Sequence, residues 1–231
     1  MLPVINLTAN RNFRIRNFEE DKIATLNANK GLHYIGKRND FYLFKGNYYL
    51  TNQQGFFIES FEIAILIEKN YPNAFPVVYL LDDKIEKNAD NHINPDCSIC
   101  FDHTYITNAL AKSGLWLYDF VNYYPDKYFS WILVKQYENA HNLQEWAHDY
   151  RGVIQFYEIL LDTTDMDTIR LFLETYCRIV AISRNDKCYC GNNKKLKYCH
   201  YDAARFLKAT PLKTIKNDVK LFHRLLDTSL G

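Results

Sequence analysis

The chain has almost no net charge: 28 Lys and Arg stand against 27 Asp and Glu, leaving +1 over 231 residues. Proteins that bind phosphate backbones usually show a clear basic excess, so this balance counts against nucleic acid as a partner and does not call for a membrane surface. No secretory leader is expected either, because Met1-Leu2-Pro3-Val4 lacks a basic start followed by an apolar core. No apolar run reaches the roughly 18–20 residues that span a bilayer without charges; the longest candidate, near Phe61–Ile67, is interrupted by Glu62 and closed by Glu68. There is no internal repeat and no low-complexity segment. These absences predict a cytoplasmic protein with no membrane partner, in which six cysteines stay reduced. Their spacing is then read as metal binding or catalysis before disulfides.

What is present is a core. Hydrophobic residues make up 48% of the chain, enough for one domain with an appendage or two small domains. Residues 1–30 carry Phe13, Ile15, Phe18, Ile23 and Leu26 at loosely helical spacing, and Gly31 breaks the pattern. Phe41–Phe44 and Tyr48–Thr51 are rich in strand formers, and Lys45-Gly46-Asn47 between them reads as a hairpin. Phe56–Glu68 alternates in part, and Val77–Leu81 is a further strand, reached through a connection pinned by Pro72 and Pro76. The expected product is an antiparallel meander of about four strands, which needs helices to cover it. Residues 82–104 form a loop long enough to be functional or disordered. Helical patterns follow over 109–137, with a break at Tyr124-Pro125-Asp126, from Leu143 to Leu160, and over Asp167–Ile182 behind an N-cap in Asp162–Asp165. Composition shifts after Ser183, where a boundary is placed, and Thr210–Gly231 reads as a short helix.

The polar tail holds Cys188-Tyr189-Cys190-Gly191, a lysine-rich turn, and Cys199-His200. Three thiolates and an imidazole in two close pairs suit a closed tetrahedral zinc site, with Gly191 permitting the tight turn. No base or open position is evident, so the metal is expected to be structural. The segment resembles the SEC-C zinc motif, which implies zinc and contacts with protein partners. Lys187, Lys194, Lys195 and Lys197 read as a solvated basic turn that could touch nucleic acid or an acidic protein.

The long loop holds Asn91-His92-Ile93-Asn94-Pro95-Asp96-Cys97-Ser98-Ile99-Cys100-Phe101. Cys97 and Cys100 form Cys-x-x-Cys. A redox pair should open a helix beside a parallel strand, and a zinc site needs a second pair; neither context is present. A single nucleophile is the remaining reading, since a cysteine attacks as the thiolate and acyl transfer needs a donor to the oxyanion. His92 or Asn94 could donate, and His103 is either a base or an exposed loop residue.

Residues 56–101 resemble the core of ubiquitin-conjugating enzymes. The matching features are the strand Phe61–Ile67, Tyr71-Pro72, Phe75-Pro76, the strand Val77–Leu81, Asn91–Asn94 and Ser98-Ile99-Cys100-Phe101. The resemblance extends over about residues 30–160, and Glu145–Tyr157 is similar to the helix that follows in bacterial relatives. It implies Cys100 as the catalytic cysteine, places Cys97 where glycine is usual, and sets His92 on the asparagine that stabilises the oxyanion. The His-Pro-Asn triplet itself is absent. An imidazole can donate one hydrogen bond as an amide does.

The fold expected on this resemblance is α+β: a UBC-like antiparallel four-stranded meander backed by helices over residues 1–183, with a SEC-C-like zinc-binding tail at 184–231. The implied activity is that of a protein-conjugating transferase. Cys100 accepts a protein C-terminus as a thioester and passes it to a lysine of a target protein. Similarity to conjugating proteins of cyclic-oligonucleotide-type antiphage operons implies a cGAS-like nucleotidyltransferase as the carried protein. The alternative is a UBC-fold docking module without chemistry, in which the zinc knuckle is a second contact.

Overall fold

The computed structural model describes residues 17–138, 146–147 and 149–228. They belong to two compact units, the first holding residues 17–102 and 110–138 and the second the remainder. The architecture is α+β, with a four-stranded antiparallel sheet and eight helices among the described residues. Phe13, Ile15, Leu143, Glu145 and Gly231 lie outside those residues.

The first unit opens with α1 (Phe18–Ala28). The Asn17 side chain caps it by accepting from the Glu20 N–H at 3.0 Å, and Glu19, Glu20 and Asp21 place negative charge in the first turn, where the helix dipole favours it. Its inward face departs from the apolar spacing: Asp21 and Thr25 are buried, while Ile23 is exposed. Asp21 accepts from the N–H groups of Leu117 and Tyr118, at 2.6 and 2.9 Å, and so caps α3 (Leu117–Val121), whose own N-cap residue Trp116 makes no side-chain cap.

The sheet runs in sequence order through β1 (Leu32–Arg38), β2 (Phe41–Thr51), β3 (Phe57–Glu68) and β4 (Val77–Leu80). Phe61, Ile63, Ile65 and Ile67 alternate onto one buried face of β3, beside Phe44, Tyr48 and Leu50 of β2. Helix α4 (Tyr124–Glu138) covers this face, and Phe129 stacks on Phe61 with ring centres 4.0 Å apart. Pro125 stands in its first turn, where the missing N–H has no intrahelical partner to lose; the break expected at Tyr124-Pro125-Asp126 is the start of α4.

The hairpin expected at Lys45-Gly46-Asn47 is overturned. These residues lie inside one continuous strand and pair with Glu62, Ile63 and Ala64. The turn lies earlier, at Asn39-Asp40 between β1 and β2. Gly46 serves a close approach instead: a Cβ there would lie 2.1 Å from the Gly31 carbonyl oxygen, and its φ is +147°.

The second unit is helical. Its elements are α5 (Asp149–Leu161), α6 (Met166–Arg178), α7 (Tyr201–Leu207) and α8 (Leu212–Thr228). Helix α2 (Thr104–Ser113) has its first six residues in this unit and its last four in the other. Asp165 caps α6. That helix stops at Arg178, before the expected Ile182, and Val180 is fully exposed. One core joins Phe156, Tyr157, Ile169, Phe172 and Leu173 to Cys188, Tyr189, Leu196, Leu207 and Phe222. The boundary placed at 183/184 therefore falls inside this unit, because Tyr189 and Leu196 bury themselves from a segment that reads as polar. Among the described residues no helix is long and apolar enough to cross a membrane.

Candidate metal centre and cysteine loop

The second unit gathers Cys188, Cys190, Cys199 and His200 so that one ligand atom from each lies within 4.8 Å of the others. Among the described residues this is the Cys, His, Asp and Glu group that could hold a metal ion. The Sγ atoms of Cys190 and Cys199 are 3.7 Å apart, close to the edge of about 3.8 Å for a tetrahedron with 2.3 Å metal–sulfur arms. His200 Nδ1 stands 3.2 Å from Cys188 Sγ and 3.3 Å from Cys199 Sγ.

The local chain explains how four separated residues converge. Backbone bonds from Cys188 N to Lys194 O (2.8 Å) and from Leu196 N to Asp186 O (2.7 Å) pair the segments on either side of the turn. Gly191 turns the chain at φ +83°, where a Cβ would stand 2.8 Å from Leu171 Cδ2. A 3-10 turn at Leu196–Tyr198 then delivers Cys199 and His200 to the start of α7.

Partners outside the ligand set orient it. His200 Nε2 faces the Leu161 carbonyl at 2.9 Å, and a carbonyl only accepts, so Nε2 carries the proton. That leaves Nδ1 as the ring nitrogen that faces the sulfurs, the atom a metal would take. Asn192 Nδ2 donates to Cys199 Sγ at 3.1 Å. Burial pushes the Cys188 thiol up, since a thiolate alone in this core would be desolvated; a bound cation reverses that balance. The donor set fits a structural metal and is compatible with zinc.

The first unit holds the other candidate. The loop after β4 is ordered by its own hydrogen bonds rather than by long regular elements. A 3-10 turn at Ala89–Asn91 is capped by Asn88 and ends at His92 in the left-handed region, φ 53°. Ile93 and Ile99 form an antiparallel bridge, Asn94 N donates to Ser98 O, and Cys97 N to Asn94 O, both at 2.8 Å. The returning arm docks on β4: Ile99 N donates to Val78 O and Leu80 N to Cys97 O.

This arrangement sets Cys100 opposite His92, with Cys100 N donating to His92 O at 2.8 Å. Cys100 is exposed, and Phe101 beside it packs on Phe120, Tyr124 and Tyr128. The His92 imidazole meets Trp131 of α4 edge-on at 5.4 Å, and Tyr128 Oη donates to Asn91 O at 2.7 Å. Trp131 was not legible as a platform for His92, since the two are 39 positions apart in sequence.

Asn94 and His103 have other work. Asn94 Nδ2 donates to Ser98 Oγ, which donates to Asp96 Oδ1, so the amide braces the turn. His103 belongs to the second unit, where its ring stacks on Tyr105 and Phe156 at 5.3 and 4.8 Å, and burial lowers its pKa to about 4. It is neither an exposed loop residue nor a base poised near neutrality. The Cys100 thiol is raised by partial burial of its sulfur and by the nearby Asp102 carboxylate, with the Asp102 carbonyl pulling weakly the other way. Cys97 is half-buried at φ 69°, and Cys177 of α6 stands outside the metal group.

Comparisons with protein-family models, with curated proteins and with solved structures find no match.

Proposed function

We propose that the chain is a UBC-like acyl carrier in which Cys100 is the nucleophile. In the first step the Cys100 thiolate attacks the activated carbonyl at a protein C-terminus and expels the activating group, which leaves a thioester. In the second a lysine amine of the target attacks that carbonyl. The C–S bond breaks, an amide forms, Cys100 leaves as the thiolate, and the proton lost by the amine passes to solvent. Each step passes through a tetrahedral oxyanion that needs a hydrogen-bond donor, and His92 is the residue proposed for it. Zinc at Cys188, Cys190, Cys199 and His200 holds the second unit together and takes no part in the transfer. The carried protein on this reading is a cGAS-like nucleotidyltransferase of an antiphage operon.

The observation that carries the reading is an exposed Cys100 at the end of a hydrogen-bonded loop pinned to β4, with His92 directly across from it. A rigid loop presenting one reactive group is how scaffolds hold catalytic residues. The raised Cys100 thiol favours a second reading, a docking module without chemistry, because little thiolate is present near neutrality.

Intact mass of the protein co-expressed with its genomic neighbours, purified without thiols, separates the two. The carrier reading expects an adduct that thiols release, that Cys100→Ala abolishes and that Cys97→Ala leaves intact. Neighbours that co-purify without any adduct would establish the docking reading instead.

A further inference from the structure

The +1 of the whole chain conceals a strong segregation. Residues 184–228 hold 11 Lys and Arg against four Asp and Glu, a net +7, which leaves −6 for the rest. The basic residues nearest the metal group are also gathered into a ribbon. Lys187 and Lys195 face one another across an antiparallel bridge. Arg184 and Lys197 are joined alongside them by the Lys197 N to Arg184 O bond at 3.0 Å. Like charges on adjacent positions of a ladder repel. Among the described residues, none of Arg184, Lys187, Lys194, Lys195, Lys197 and Arg205 has a carboxylate within 4.0 Å.

Aromatic rings are interleaved with these cations. The guanidinium carbons of Arg184 and Arg205 lie 5.3 and 5.8 Å from the Tyr201 ring centre, so one ring holds two cations in place. Tyr198 is 72% exposed, and Lys197 Nζ stands 4.9 Å from its ring centre. A flat, exposed ring beside a row of cations without carboxylate partners is the arrangement that binds a nucleic-acid strand, with phosphates on the cations and a base on the ring. An acidic peptide would use the cations and leave the ring unused. A duplex keeps its bases stacked internally and would leave it unused as well.

We infer that the ribbon formed by Arg184, Lys187, Lys195, Lys197, Tyr198 and Arg205 binds single-stranded nucleic acid. This surface is independent of any chemistry at Cys100. The near-neutral charge of the whole sequence, which argues against such a partner, averages over two oppositely charged parts of the chain.

Fluorescence anisotropy of the full, metal-replete chain with a labelled oligothymidylate tests it, beside the matching duplex, polyglutamate and vesicles containing phosphatidylserine. Single-strand binding should weaken with salt, and Arg184→Ala combined with Lys197→Ala should reduce the log–log salt slope by about 1.4, at roughly 0.7 for each phosphate no longer neutralised. Tyr198→Ala should weaken binding by about 5- to 150-fold, as loss of a stacking partner does, without changing the slope, and Tyr198→Phe should restore it. These positions are exposed or half-exposed, and unchanged metal content in each variant would show that the site still folds. Absence of single-strand binding at low salt would overturn the proposal. So would equal binding of duplex, polyglutamate or vesicles together with indifference to Tyr198→Ala, which would make the ribbon a reader of charge alone.

Discussion

The Nε2–H of His200 donates to the carbonyl of Leu161 at 2.9 Å. One bond thereby fixes the tautomer of a metal ligand and satisfies a last-turn carbonyl of α5 that has no partner within its own helix. The metal group is in this way tied to the helical core, and Cys188 and Cys190 are themselves core residues. One metal ion per chain is expected, lost in His200→Ala and Cys199→Ser but kept in Cys97→Ser and Cys177→Ser. Because structural zinc contributes folding free energy, a chelator should remove helical circular-dichroism signal from α5 to α8 together. Full helicity in a metal-free protein would rule this out.

Asn192 supplies a subtler test. Its amide donates to Cys199 Sγ from outside the ligand set. Loss of such an orienting partner typically lowers metal affinity by about 10- to 100-fold. Asn192→Ala should therefore still bind one metal but yield it sooner to a competing chromophoric chelator. Affinity equal to that of the parent would remove Asn192 from the site.

The Cys100 thiol is held above the ordinary value of 9.0, first by burial and then by Asp102. Its thiolate fraction, and with it the rate of alkylation by iodoacetamide, should keep climbing as pH rises past 9. Asp102→Asn removes the neighbouring negative charge and should move the midpoint down. A rate that levels off below pH 8 would show an activated thiolate instead, with a charge partner beyond those seen around the loop.

His103 makes an acid-side prediction. Its pKa in the fold is about 4, below the ordinary 6.5, because burial disfavours the imidazolium. Between those values the unfolded chain binds the proton and the folded chain does not, so stability is present above about 6.5 and declines as pH falls towards 4. Urea midpoints measured across that window should fall with pH, and His103→Phe, which keeps a flat ring between Tyr105 and Phe156, should flatten the dependence. An identical slope in the variant would assign the acid loss to other groups.

Gly46 and Gly55 separate two costs. Both have positive φ, but a Cβ at Gly55 meets nothing within 4 Å, whereas one at Gly46 meets the Gly31 carbonyl at 2.1 Å. Gly55→Ala should cost only backbone strain, on the order of 1 kcal/mol. Gly46→Ala should cost distinctly more, or prevent folding of the first unit. Equal urea midpoints for the two variants would show that the β1–β2 approach relaxes freely.

Much of this protein was determined by local sequence. Alternation of Phe61, Ile63, Ile65 and Ile67 is enough for a half-buried strand, Asp165 before Met166 for a helix start, and the Cys188–His200 spacing for a metal group. In each case residues within about a dozen positions carry the whole signal. Tertiary structure alone decided what Gly46 is for, since a glycine in a turn and a glycine under a crossing carbonyl look the same along the chain. It decided that Tyr189 and Leu196 join the core of α5 and α6, because burial depends on what lies opposite. It turned His103 from a candidate base into part of an aromatic stack, and it set Trp131 against His92. It also aligned cations of equal sign along one ribbon, which a summed charge of +1 erases. Periodicity and capping act over one or two turns of chain and can be read in order. Close approach, burial and electrostatic grouping act through space, and only the folded chain specifies them.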